Sequence, residues 1–196
     1  MSCRNLLYLL VLFFLLPSPL GAAVTVDVQV KGVKGAMYDN ILSRLKIFLH
    51  KDSRRLTGFE ITRLHRHAEA DIEEALAPFG YYAPSIVGTL EQGGDAWRAV
   101  YTVDRGEPVR VTAVRISVEG PGGDDLAWAA NEFPLETGDV LDQDRYEKGK
   151  KQMVRSALRL GFLTARFSKL ELRLNRQAKT GEVDLVLDTG PRYLFG

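Results

Sequence analysis

Gly80-Tyr81-Tyr82-Ala83-Pro84-Ser85-Ile86 and Gly161-Phe162-Leu163-Thr164-Ala165-Arg166-Phe167 are two versions of one pattern, 81 residues apart. A second pair lies downstream. Ala99, Tyr101 and Val103 lead into Asp104-Arg105-Gly106, as Val183, Leu185 and Leu187 lead into Asp188-Thr189-Gly190, at an offset of 84. The extra residues fall in the turn between: Gln92-Gly93-Gly94-Asp95 is short, and the stretch from Asn175 to Gly181 is longer. An internal repeat of this period marks two copies of one supersecondary unit, each large enough for a small core.

Working outward, each copy reads strand, helix, helix, strand, strand. In the first, Val24, Val26, Val28 and Val30 alternate with polar residues, the period of a half-buried strand. Ile41, Leu45 and Phe48 are spaced for a first helix, and Ile61, Leu64, Ala68, Ile72, Leu76 and Phe79 form the apolar stripe of a longer one. Gly80 follows as its left-handed C′ cap. Strands are expected around Ser85–Glu91 and Trp97–Asp104, with Ala99, Tyr101 and Val103 under the helices. In the second copy Val114, Ile116 and Val118 alternate, and Gly120-Pro121-Gly122-Gly123 breaks the chain. Leu126, Ala130 and Phe133 suggest a short helix. Asp142-Gln143-Asp144 caps a second helix with Tyr146, Met153, Ala157 and Leu160 inside and Gly161 as its end. Leu170, Leu172 and Leu174 alternate, but out of phase with Phe167, so a bulge or a late strand start is expected there. Three strands with one apolar face, covered by two helices, make a two-layer α+β unit.

The N-terminus differs in kind. Arg4 is the only charge before Asp27, Leu6 to Leu16 is unbroken apolar sequence, and Pro17, Pro19 and Gly21-Ala22-Ala23 follow. This is the layout of a secretory signal peptide, cleaved after Ala23. As a helix the run reaches roughly 16 Å, against about 30 Å of bilayer hydrocarbon. Cys3, the only cysteine, would leave with it, excluding disulfides, thiol catalysis and thiolate metal sites from the mature chain.

Composition and motifs point away from chemistry. A net charge of +1 with 26% charged residues gives no basic stripe for nucleic acid. His65 and His67, two apart on a helix, point to different faces and cannot share a metal ion; His50 is isolated. Ser43, Ser53 and Ser85 have no nucleophile-elbow context. Asp71, Glu73 and Glu74, with Arg63 and Arg66 nearby, read as solvated charges on a helix face, as do Lys148, Lys150 and Lys151, which could alternatively meet anionic lipid or a partner. No catalytic, cofactor-binding or metal-ligating set is assigned.

The motif Gly80–Ile86, the stretches Asp144-Arg145-Tyr146-Glu147-Lys148-Gly149-Lys150-Lys151 and Ala157-Leu158-Arg159-Leu160-Gly161-Phe162, and the ending Gly190-Pro191-Arg192-Tyr193-Leu194-Phe195-Gly196 together resemble polypeptide-transport-associated (POTRA) domains. The resemblance is to those of the TamA/BamA-type outer-membrane assembly barrels, and most to the TamA type. It implies two tandem POTRA-like β-α-α-β-β domains, each a three-stranded mixed sheet covered by two helices. Their expected extents are 24–106 and 107–190, with the start of a third unit at 191–196.

The resemblance further implies a Sec-exported periplasmic region of a bacterial outer-membrane protein. It would bind outer-membrane protein or autotransporter clients without catalysis, with a TamB-like inner-membrane partner and membrane attachment only through a barrel absent from this chain. No cofactor and no nucleic acid are implied. In the family fold the third strand is central and the second lies at an edge, which assigns client binding by strand addition to Ser85, Ile86, Val87, Gly88, Thr89 and Leu90 and to Leu170, Glu171, Leu172, Arg173 and Leu174. The connection Arg105-Gly106-Glu107-Pro108 is a second candidate surface, stiffened by Pro108. A two-partner secretion transporter or a BamA-type core are the alternatives within the family; a secreted enzyme is the distant one.

Overall fold

The computed structural model describes residues 24–194; the expected signal peptide with Cys3, and Phe195-Gly196, lie outside them. Elements follow the repeated order. The first unit runs β1 (Thr25–Lys31), α1 (Ala36–Arg44), α2 (Lys46–Leu49), α3 (Gly58–Leu76) with a 3₁₀ turn at Ala77–Phe79, β2 (Ser85–Gly93) and β3 (Ala96–Asp104). The second runs β4 (Arg110–Glu119), α4 (Gly123–Asn131), α5 (Gln143–Arg159), β5 (Arg166–Asn175) and β6 (Thr180–Asp188). Each has its own three-stranded sheet, ordered β1-β3-β2 and β4-β6-β5. The first strand pairs parallel with the last and the middle one antiparallel, so both sheets are mixed.

The last strand of each unit is central, and its inner face is the most deeply buried of the three. Ala99, Tyr101 and Val103 are buried in the first core; Val183, Leu185 and Leu187 are fully buried in the second. The long helices lie over them. Ile61, Leu64, Ala68, Ile72, Ala75 and Leu76 form the inner stripe of α3. Tyr146, Met153 and Ala157 do so on α5, joined by Gly149 and Ser156. Asp142, Gly80 and Gly161 cap the helices as expected, and Thr57 adds a cap that the sequence reading does not include. Thr57 accepts the Glu60 N–H, Asp142 accepts the Arg145 N–H, and Gly80 and Gly161 take φ of 86° and 91°.

Four points differ from the sequence reading. The first helix is broken: Leu45 leaves the helical region at ψ 99°, and α2 starts afresh. The break is held by Asp71, which is 4% exposed and accepts both the Lys46 backbone N–H at 3.0 Å and its ammonium. Asp71 is therefore no solvated charge; it caps a helix whose own N-cap residue, Leu45, has no side-chain acceptor. Glu73 and Glu74 are exposed, as expected. On α4 Ala129 is buried beside Leu126, while the expected Ala130 packs against the same core only partly buried. Leu160 is only partly buried, because the helix ends there.

The bulge lies between Phe167 and Lys169, as the phase change in β5 requires. A second one, between Val111 and Ala113 in β4, has no such signature.

Candidate functional site

Both assigned strands lie at sheet edges. β2 pairs only with β3, and β5 only with β6. Each leaves one row of backbone donors and acceptors unpaired within its sheet, the property strand addition requires. β1 and β4 are also edges, which the family-based assignment passed over.

The residues of β2 divide by face. Ile86, Gly88 and Leu90 stand opposite the buried Val103, Tyr101 and Ala99, so they face the helices; Ser85, Val87 and Thr89 face away. Val87 is 61% exposed. In β5, Leu170, Leu172 and Leu174 stand opposite Leu185, Val183 and Gly181, on the helix side, while Glu171 and Arg173 face out. Leu172 packs on the core, but Leu170 remains 52% exposed although it faces inward. The helix does not reach over it.

Beside each edge lies a groove between strand and long helix. The first is lined by His65, Arg66 and Glu69 from α3 and Ile86, Gly88 and Tyr101 from the sheet. The Tyr101 ring lies against Gly88: a Cβ there would come within 3.1 Å of the ring and 3.2 Å of His65. His65 Nδ1 and the Tyr101 hydroxyl share a hydrogen bond of 2.9 Å. Burial holds His65 below the ordinary histidine value and raises the Tyr101 hydroxyl above the ordinary tyrosine one. The second groove, about 380 Å³, has Val154, Phe167 and Leu170 as its apolar part and Glu147, Lys150, Lys151 and Arg155 around it. His65 is half-buried and His67 exposed on different faces of α3. Among the described residues no three His, Cys, Asp or Glu side chains converge as a metal site.

The outer face of the second sheet centres on Asp184, with Lys169 at 2.7 Å, Arg173 at 3.5 Å and Arg115 at 3.6 Å. The hydrogen bond from Lys169 and the neighbouring cations hold its carboxyl below the usual value.

The connection Arg105–Pro108 is pinned from both sides. Arg105 lies over the Tyr81 ring at 5.2 Å, and Glu107 pairs with Lys179 in the β5–β6 turn. The Val109 N–H donates to the Gly80 carbonyl at 2.8 Å. Tyr81 packs on the first core and Tyr82 on the second. The same bond recurs after the second unit, where Tyr193 N–H donates to the Gly161 carbonyl at 2.8 Å, and Arg192 lies over Phe162. The repeated Gly-aromatic motif is thus both a helix end and an anchor for the chain that follows. Only the helix-end role is legible from one sequence.

A family model described as POTRA domain TamA domain 1 matches residues 27–105. Among solved structures, the chain is similar to POTRA3-5 of Haemophilus influenzae BamA, at 16% identity over 87% of this chain and 67% of that one, TM-score 0.47. It is similar to POTRA1-3 of the periplasmic domain of Omp85 from Anabaena, at 14% identity over 84% and 60%, TM-score 0.38. It is similar also to CdiB from Escherichia coli, at 19% identity, covering 90% of this chain but 29% of CdiB, TM-score 0.34. Residues 27–105 match the POTRA domain TamA domain 1 model, and the second unit repeats the strand order, pairing senses and helix cover of the first.

Proposed function

We propose that this chain is the periplasmic N-terminal region of a TamA-like outer-membrane assembly or translocation factor, and that it binds extended client polypeptides at β2 and β5 by strand addition. The carrying observation is the position of both strands at sheet edges, each paired on one side only. Affinity would come from the backbone and tolerate many sequences, as diverse unfolded clients require. No helix among the described residues is long and apolar enough to cross a membrane. Export would rest on the signal-peptide pattern of residues 1–23, and membrane attachment on a barrel elsewhere in the protein. A TamB-like partner belongs to the same reading. The match to the TamA domain 1 model favours it over a two-partner secretion transporter or a BamA-type core.

The test is crosslinking of the purified mature chain to a peptide from an outer-membrane barrel, comparing wild type with edge-blocked variants. Val87→Lys places a charge on the outer face of β2, and Glu171→Lys reverses the one on β5 and sets it beside Lys169 and Arg173. Gly88→Lys is unsuitable, because its side chain would drive into Tyr101 and His65. Leu172→Pro would damage the core against which Leu172 packs. Loss of crosslinking in variants that melt like wild type supports strand addition; unchanged crosslinking in both rejects it.

A further inference from the structure

With the two C′ glycines superposed, α3 and α5 can be compared position by position at the offset of 81. Arg66 falls on Glu147, Glu69 on Lys150, Ala70 on Lys151 and Glu74 on Arg155. The charge inverts along the face beside the edge strand. Over its length α3 carries five carboxylates and two cations, and α5 carries six cations and two carboxylates. A chain whose net charge is only +1 has sorted its charges between two equivalent helices.

The cations of α5 are not all satisfied within the unit. Lys148 pairs with Asp144 at 2.5 Å, Lys150 with Glu147 at 2.8 Å and Arg145 with Asp139 at 2.8 Å. Among the described residues no carboxylate lies within 4.0 Å of Lys151 or Arg155, and both are exposed. They stand one helical turn apart, about 6 Å, close to the roughly 6.8 Å between same-face residues of a strand. Both line the groove that holds Leu170.

The sheet differs at the matching place. Leu170 opposes Leu185 where Gly88 opposes Tyr101. In the first unit the large side chain stands on the central strand and, bonded to His65, fills the space over the edge. In the second unit the edge carries the leucine, and the space above it is open.

We propose that the β5–α5 groove selects extended polypeptides with carboxylates interspersed among apolar residues, and that the β2–α3 groove does not. The inference rests on the strand-addition reading and adds to it a division of labour by charge. An added strand beside β5 would turn alternate side chains toward α5, placing apolar ones on Leu170 and Val154 and acidic ones near Lys151 and Arg155.

The experiment is fluorescence anisotropy on the mature chain with three peptides in which the residues along one strand face alternate apolar and polar, the polar positions being Asp, Gln or Lys. The Asp peptide should bind about ten-fold more tightly than the Lys peptide at low salt, with the gap shrinking as salt rises. The Lys151→Glu, Arg155→Glu double variant should remove or reverse this order with an unchanged melt. Equal binding of the three peptides, or an order kept in the double variant, overturns the proposal. Asp peptides N-methylated along one edge or the other separate the two ideas. If both bind no worse and the charge order persists, charge selection stands and strand addition falls. Phosphatidylglycerol vesicles form the last arm: vesicle binding that is lost in the double variant, with no discrimination among peptides, assigns the cations to lipid and overturns the proposal.

Discussion

The two units share strand order, helix caps and junction, yet their long helices face the neighbouring edge with opposite charge and different volume. In the first, Tyr101 and His65 close the groove over Gly88; in the second, Leu170 lies open beneath Lys151 and Arg155. What has stayed the same is what the fold needs: apolar central strands, capped helices, glycines with positive φ. Among what has diverged, the groove wall and the edge bear on binding. A structural repeat free to vary there can offer two docking surfaces of different selectivity at little cost to the core.

The cores give the largest expected effects, and they test whether the units are energetically separate. Leu76 is fully buried, and its counterpart at the offset of 81 is Ala157. The equivalent cavity in the second unit is better made at Met153, which is 1% exposed, than at the half-covered Leu160. Leu76→Ala and Met153→Ala should each cost about 2–5 kcal/mol. In calorimetry each should lower one transition and spare the other; a single transition lowered by both would make the pair one cooperative unit.

The junction comes next. A Cβ at Gly80 would sit 2.9 Å from the Leu141 carbonyl oxygen and 2.8 Å from Val140, at a φ that L residues rarely adopt. Gly80→Ala should therefore cost roughly 1–3 kcal/mol. Because the clash is with the second unit, both transitions should move closer to those of the isolated units. A loss confined to the first transition would mean that the strain is only local.

The smallest effect separates the units by pH. Burial holds His65 below the ordinary value of 6.5, so the folded first unit binds this proton less readily than the unfolded chain. Its contribution is complete above that value and is lost as pH falls through and below it. Arg66 and Glu69, which share the groove, leave this direction unchanged. In the second unit Asp139 is held below its ordinary 3.8 by the Glu136 backbone N–H and by Arg145, and Asp184 by Lys169 and Arg115. Glu107 is held below 4.5 by Lys179. These contributions are present above the ordinary carboxylate values and vanish only in more acid solution. Between about pH 7.5 and 5.5 the first transition should fall and the second stay still, and His65→Gln should abolish the difference. A second transition that moves equally would refute this assignment.

Much of this architecture can be read directly from the chain. The two Gly-aromatic motifs and the alternating strands carry the repeat. The phase slip between Phe167 and Leu170 carries the bulge, since a period of two cannot change face without an extra residue. Edge positions came from the family resemblance and not from periodicity. Helical spacing from Leu64 and Ala68 puts Asp71 on the buried stripe, but its charge favours a solvated reading, and composition does not tell a buried carboxylate with a partner from a wet one. That partner, Lys46, is 25 residues away. The closed first groove depends on Gly88 and Tyr101 meeting across two strands, a pairing set by register. The charge inversion was present in the sequence all along, but it becomes meaningful only when both helices are known to flank equivalent edges.

Strand addition is most directly tested by changing the ligand's backbone and leaving the protein untouched. Two versions of one barrel-derived peptide, N-methylated at alternate residues along one edge or the other, carry identical side chains, and only one version keeps the donors that would face β2 or β5. Amide chemical shifts of the labelled mature chain would be followed during titration with each. The account predicts that one version shifts the amides of Ser85–Gly93 or Arg166–Asn175 as the unmodified peptide does, while the other fails to bind. Equal binding of both versions, or shifts confined to the outer faces of the helices, would contradict it.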